Sequence, residues 1–235
     1  VVDGQEVHLS WTIATKPYRT AGEFYMSFQT YKEQYKNAFG KITKIVVGSV
    51  VPQQTQIIAK MLQKTFSIKP FIVNRDTPSE VTHHSNQMGT DLYANAVAAH
   101  YLYPEQKKII IDFGTALTLT GVAETGQMLG VIIAPGVVTS LQSLVNSTAQ
   151  LPYIELNEPK SVLGMDCMQS GMIYGYTAMV EGLIERIKQT YQSDFLVIST
   201  GGVGHVFSKL TEKIQIDDKY HTIKGLALLY DLHRK

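Results

Sequence analysis

At 235 residues, with 44% hydrophobic and 17% charged residues, the chain has apolar content for one large core or two small ones. A formal net charge of +1 leaves no electrostatic footprint for nucleic acid, and no apolar run reaches membrane-spanning length. The chain shows no charged-then-apolar leader and carries a single cysteine, Cys167, so an internal disulfide is excluded and a cytoplasmic location is the default expectation.

Asp3-Gly4 is a hairpin turn signal, and Val7, Leu9, Trp11 and Ile13 alternate as a strand does. A turn at this point needs a strand before it, so a segment preceding Val1 is expected. Thr20 to Glu23 fits a capping box, after which Phe24, Phe28, Tyr31, Tyr35 and Phe39 recur at helical spacing until Gly40. Lys41 to Val51 reads as a strand closed by Pro52, Ile57 to Leu62 as part of a helix, and Pro70 to Val73 as a further strand. This alternation predicts an α/β domain. Asn74 to Met88 is polar and reads as a long surface loop; its adjacent His83 and His84 have no third metal ligand at a sensible spacing.

From Asp91 the pattern turns helical through Leu92, Ala94, Val97, Ala98 and Tyr101, and Pro104 marks a boundary. Asp91 has two readings at this helix start. It is an N-cap accepting backbone N–H bonds, or a carboxylate aimed into a cleft that takes a proton from a substrate hydroxyl.

The most informative stretch is Lys107 to Gly136. Ile109, Ile110 and Ile111 form a strand buried on both faces that stops at Asp112, followed by Gly114, Thr115 and Ala116. Leu117, Leu119 and Val122 carry a second strand, Glu124 to Gln127 a turn, and Met128 to Ala134 a third strand. Backbone N–H groups in a Gly-Thr-Ala bend can close round phosphate oxygens, while a nearby carboxylate holds a neutralising cation. An Asp that simply caps a turn is the alternative.

Further on, Leu141, Leu144 and Val145 mark a helix after Pro135-Gly136, and Ser170 to Tyr191 a long one. Phe195 to Ser199 is a short buried strand leading into Thr200-Gly201-Gly202-Val203-Gly204 and a helix through Phe207 and Leu210, with His205 on its exposed side. A strand, glycines and a helix N-terminus suit an anionic or nucleotide ligand, and tight packing at a strand-to-helix turn is the bland alternative. The expected organisation is two α/β units, 1–104 and 105–235.

The order of motifs is recognisable: Gly48 to Pro52, Gly89-Thr90-Asp91 with Ala94-Asn95, Asp112 to Ala116 with Thr118, Pro135-Gly136, Ala149 to Pro152, Ser170-Gly171 and Thr200-Gly201-Gly202. This series closely resembles the type III pantothenate kinases over essentially the whole chain. The resemblance implies an actin-like (ribonuclease H-like) two-domain α/β kinase fold with mixed central sheets. It also implies a homodimer and ATP-dependent phosphorylation of pantothenate, the first step of coenzyme A synthesis. ATP, magnesium and a monovalent cation, potassium or ammonium, are the implied cofactors; neither a nucleic acid nor a membrane is an expected partner.

By the family's pattern Asp91 would be the general base and Asp112 the monovalent-cation ligand. Gly114, Thr115 and Ala116 would meet ATP phosphate, Gly201 and Gly202 would lie by the adenosine, and Gly89, Thr90 and Leu92 would border pantothenate. These roles are chemically consistent, because phosphoryl transfer needs an oriented hydroxyl, a base and cations over the phosphates.

The chain also departs from that pattern. The family's first strand and Asp-x-Gly-Asn-Thr phosphate loop belong ahead of Val1. Leu92 stands in place of an arginine, Thr120 in place of an acid, and Leu129-Gly130 in place of Gly-Gly. Gly164 falls where a threonine usually reaches pantothenate, with Ser161 as its substitute, and the Asn74 to Met88 loop is long. Two function classes follow: an active, divergent kinase, favoured because Asp91, Asp112 and Thr115 are all present, and a non-catalytic relative that keeps the fold for binding or regulation.

Overall fold

The computed structural model describes residues 1–13, 18–40, 42–85 and 88–234. It opens with an antiparallel hairpin of β1 (Val2–Asp3) and β2 (Glu6–Val7), whose turn residues are Gly4 and Gln5, one position on from the expected Asp3-Gly4. The strand expected through Ile13 ends at Val7 instead. Trp11 is held by side-chain contact rather than by a ladder: its ring stacks on Tyr31 at 4.6 Å between centroids and lies 5.5 Å from Phe39.

Helix α1 (Ala21–Gln34) starts on the expected capping box. Thr20 N–H donates to Glu23 Oε2 at 2.7 Å, and Glu23 N–H donates to Thr20 Oγ1 at 3.4 Å. The helical run expected to reach Gly40 breaks at Tyr35 (φ −120°, ψ 44°) before α2 (Lys36–Phe39). Strand β3 (Val46–Gly48) is shorter than the strand expected over Lys41 to Val51, and Lys41 itself lies outside the described residues. Next come α3 (Pro52–Phe66), with proline in its first turn where its missing N–H costs nothing, and β4 (Phe71–Val73), which pairs in parallel with β3. Val47, Met61 and Leu62 form a small core here, with Phe24, Phe28, Ile58 and Phe66 packed against it.

The stretch from Asn74 is not wholly a free surface loop. Thr82 N–H donates to Gly126 O at 3.2 Å and Met128 N–H to Thr82 O at 2.9 Å, which stitches Thr82 beside the start of β7. Asn86 and Gln87 lie outside the described residues. Helix α4 (Thr90–Leu102) follows.

The second sheet has the order β7-β6-β5-β8-β9, from β5 (Lys108–Phe113), β6 (Ala116–Val122), β7 (Met128–Pro135), β8 (Leu196–Thr200) and β9 (Ile216–Asp217). The β5-β6-β7 meander is antiparallel, whereas β8 and β9 run parallel to β5, so the sheet is mixed. Alternation sends Ile109, Ile111 and Phe113 into the main core, with Leu117, Leu119 and Val197. Helices α5 (Val137–Asn146), α6 (Cys167–Tyr191) and α7 (Gly204–Phe207) supply its other side through Leu141, Ile173, Val180, Ile184 and Phe207. Helix α8 (His221–His233), which the sequence reading did not assign, closes the chain.

The chain forms two compact units. One comprises Val1–Glu80, His84–Ala98 and Thr222–Lys235, the other Val81–His83 and Ala99–His221. The boundary expected at residue 104 therefore falls inside α4, between Ala98 and Ala99, and the last helix joins the first unit. The chain returns to its first unit at the end, which a boundary read in chain order misses.

Lys108 is unusual. It opens β5 fully buried, and its Nζ has no hydrogen-bond partner among the described residues. Burial holds the amine below its ordinary value of 10.5, outweighing the opposing pull of Glu124. The unfolded chain then binds more protons than the folded one between the lowered value and 10.5, so stability rises with pH through that window. Lys108→Met is expected to stabilise the fold at pH 7 by about 1–3 kcal/mol, the cost of an unpaired buried polar group. The gap should close as pH approaches 10.5. Urea midpoints at both pH values check this, and a Met variant less stable at pH 7 would contradict it.

Candidate functional site

In the second unit the sheet registers place Asp112 opposite Thr118 on β6 and opposite Thr200 on β8. Register partners project to the same face, so two threonine hydroxyls flank one carboxylate. Both hydroxyls are buried and lack a hydrogen-bond partner among the described residues. Orphaned buried oxygens are uncommon in native folds and call for an explanation. A carboxylate with two neutral hydroxyl oxygens is a hard oxygen donor set that fits a cation, which would satisfy both at once.

The turn beyond Asp112 is built from backbone. Gly114 N–H donates to Ala116 O at 3.2 Å, and Gly136 N–H to Thr115 O at 3.1 Å. Thr139 Oγ1 donates to the same Thr115 carbonyl at 2.8 Å. The turn thus abuts the start of α5, whose N-cap, Gly136, offers no side-chain cap, leaving the first-turn N–H groups available to an anion. Gly201 comes to the same place from β8. Its φ is +93°, and a Cβ there would lie 2.6 Å from Asp112 Oδ1 and 2.7 Å from the Phe113 carbonyl carbon. Only glycine fits. Asp112, Gly114, Thr115, Ala116 and Gly201 are therefore brought together, and Gly202 follows, exposed, in a turn. His205 is exposed, as expected. Ser161 lies on the irregular segment before α6, exposed, with its Oγ donating to Leu163 O at 3.2 Å.

In the first unit Gly89, Thr90, Asp91 and Leu92 form the start of α4. Asp91 is exposed and accepts from Leu92 N–H at 2.8 Å, its immediate neighbour, rather than from an N–H two or three residues on as an N-cap does. Thr90 Oγ1 donates to Ser49 O at 3.3 Å, joining this helix start to the end of β3. Together they border a cavity of about 480 Å³ lined by Gly48, Ser49, Gln54, Thr90, Asp91 and Thr222 among others. The Gln54 Oε1 in its wall is buried without a partner among the described residues.

Sequence reasoning gave no role to Thr118, Thr200 or Thr139. The signal was faint: a threonine in an apolar strand is ordinary, and only pairing across strands sets two of them beside an acid. No cluster of three metal-ligand side chains of the His, Cys, Asp and Glu type occurs among the described residues, and no helix among them is long and apolar enough to cross a membrane.

The family model described as type III pantothenate kinase matches residues 1–186. Among solved structures, a Baf-family protein from Campylobacter jejuni described as a transcriptional activator superposes with a TM-score of 0.57 at 18% identity, over 85% of this chain and 88% of that one. The activator of the 2-hydroxyisocaproyl-CoA dehydratase from Clostridium difficile, solved with ADPNP, matches at 14% identity and TM-score 0.45, over 80% and 84%. The mixed α/β architecture, the ordered motifs and the matched span agree, and the chain belongs to the type III pantothenate kinase family.

Proposed function

We propose that the chain is an ATP-dependent kinase that phosphorylates the hydroxyl of pantothenate to give 4′-phosphopantothenate. The convergence of Asp112, the Gly114 to Ala116 turn and Gly201, with two orphaned threonine hydroxyls beside the carboxylate, is the observation that carries this reading. Backbone N–H groups of the turn and of the α5 start would hold phosphate oxygens. Asp91 would accept the proton of the attacking hydroxyl as the new oxygen–phosphorus bond forms and the bond between the γ-phosphorus and the departing ADP breaks. Asp112, Thr118 and Thr200 would hold a monovalent cation, and with magnesium this would neutralise charge on the phosphates.

Phosphorus NMR of the purified protein with ATP and pantothenate tests the reaction: a phosphomonoester signal supports it and its absence opposes it. Replacing potassium by sodium is expected to lower turnover roughly tenfold or more, about 1.4 kcal/mol of lost charge stabilisation. Equal turnover in both salts would remove the cation role from Asp112.

A second reading is a non-catalytic relative that binds nucleotide for regulation. It is favoured by Leu92 and Thr120 in place of charged residues, and by the description of the Campylobacter protein as a transcriptional activator. Nucleotide binding without phosphate transfer would select it.

A homodimer accompanies the kinase reading. Tyr153, Leu163 and Met165 are 61%, 94% and 97% exposed on the segment before α6, and this apolar exposure supports a contact with a second copy there. Light scattering is expected to give twice the 26.1 kDa chain mass. A monomer mass at working concentration would count against it.

A further inference from the structure

Asp217 is the last residue of β9, exposed at the sheet rim and paired in register with Ser199 of β8. Ser199 is fully buried, and its Oγ donates to Asp217 Oδ1 at 2.6 Å. One carboxylate oxygen is thereby fixed in place, and no described residue donates to the other. Strands β5, β8 and β9 are parallel, so Asp112, Thr200 and Asp217 stand along one carboxyl edge of the sheet. Ligands of open α/β sheets bind outside that edge. Asp112 and Asp217 lie two strands apart at the backbone, roughly 10 Å at the usual strand spacing. Asp217 is on the face of its register partner Ser199 and Asp112 on the other, so a ligand that reaches both crosses over the sheet edge.

Between them the chain bends through Gly201 and Gly202, and beyond its two chain neighbours no atom lies within 4 Å of where a Gly202 Cβ would sit. A ligand whose phosphates meet the Gly114 to Ala116 turn can therefore pass over Gly202 without meeting a side chain at that residue. The group it would present is a sugar diol, and a carboxylate at a strand end is a natural acceptor for one.

We propose that Asp217 is the ribose reader of the nucleotide site, accepting a hydrogen bond from the 2′- or 3′-hydroxyl through the oxygen that Ser199 leaves open. This rests on the nucleotide reading of the Asp112 to Gly201 turn. Ser199 is the positioning residue, since its buried hydroxyl fixes the carboxylate's rotation.

Calorimetric titration of the wild type, Asp217→Asn and Ser199→Ala with ATP, 2′-deoxy-ATP, 3′-deoxy-ATP and inorganic tripolyphosphate tests this. Asp217→Asn keeps an acceptor for Ser199, so the fold is preserved, while the charged acceptor is removed. The wild type is expected to prefer ATP over at least one deoxy analogue by on the order of tenfold, the effect of one hydrogen bond to a charged group. Asp217→Asn should lose most of that preference and Ser199→Ala part of it, with tripolyphosphate binding unchanged in all three. Equal binding of ATP and both deoxy analogues by the wild type overturns the proposal, as does an undiminished preference in Asp217→Asn. Failure of the wild type to bind ATP or tripolyphosphate overturns the nucleotide reading and this inference with it.

Discussion

Asp91→Asn is expected to lower turnover by roughly 100-fold or more with the fold intact, because an amide cannot accept the substrate proton. Its oxygen can still accept from Leu92 N–H, the 2.8 Å contact that holds the side chain at the start of α4. Loss of a negative charge near a helix N-terminus costs only about 0.3–1 kcal/mol of stability, too little to unfold the protein. Circular dichroism should therefore match the wild type while steady-state turnover with ATP and pantothenate collapses. Full turnover in the Asn variant would leave Asp91 as a helix-start residue with no part in proton transfer.

The largest stability effect is expected at Gly225, where α8 approaches α4 within the first unit. A Cβ there would lie 2.6 Å from the Ala94 carbonyl carbon and 3.1 Å from its Cα, and these are backbone atoms that cannot rotate away. Two effects oppose each other in Gly225→Ala. Helix propensity favours alanine by about 1 kcal/mol, while forcing two packed helices apart costs about 1–3 kcal/mol and more when backbone is involved. The steric term is larger, so a net loss of about 2 kcal/mol or more is expected, read as a lower urea midpoint. Ala94→Gly should not rescue the variant, because the obstructing atoms remain. A Gly225→Ala protein as stable as the wild type would show that the two helices separate freely.

Much of the second unit was legible because its signals are local. Three successive isoleucines ending in an acid and a Gly-Thr-Ala bend specify a buried strand and its turn without reference to anything distant. The capping box at Thr20 is equally local, since both of its hydrogen bonds close within four residues. The long helix ending at Tyr191 was recognised by its apolar period, although it begins at Cys167, three residues earlier than expected. Strand lengths in the first unit were less legible. Alternation from Val7 to Ile13 suits a strand, yet Trp11 finds its partners in aromatic rings from two helices, and the ladder stops at Val7.

The sequence by itself determined the α/β class, the order of the motifs and the residues of the Asp112 turn, because each depends on contacts between chain neighbours. Tertiary structure alone decided which distant residues stand beside them. Thr118 and Thr200 become neighbours of Asp112 only through registers between three strands, one of them almost ninety positions away in sequence. The same holds for Ser199 beside Asp217, for α8 pressed on Ala94, and for Lys108, whose charge predicts the surface and whose place in the sheet buries it. A local pattern reports backbone preference and apolar period, whereas burial and pairing follow from how the whole sheet closes, which no window of sequence contains.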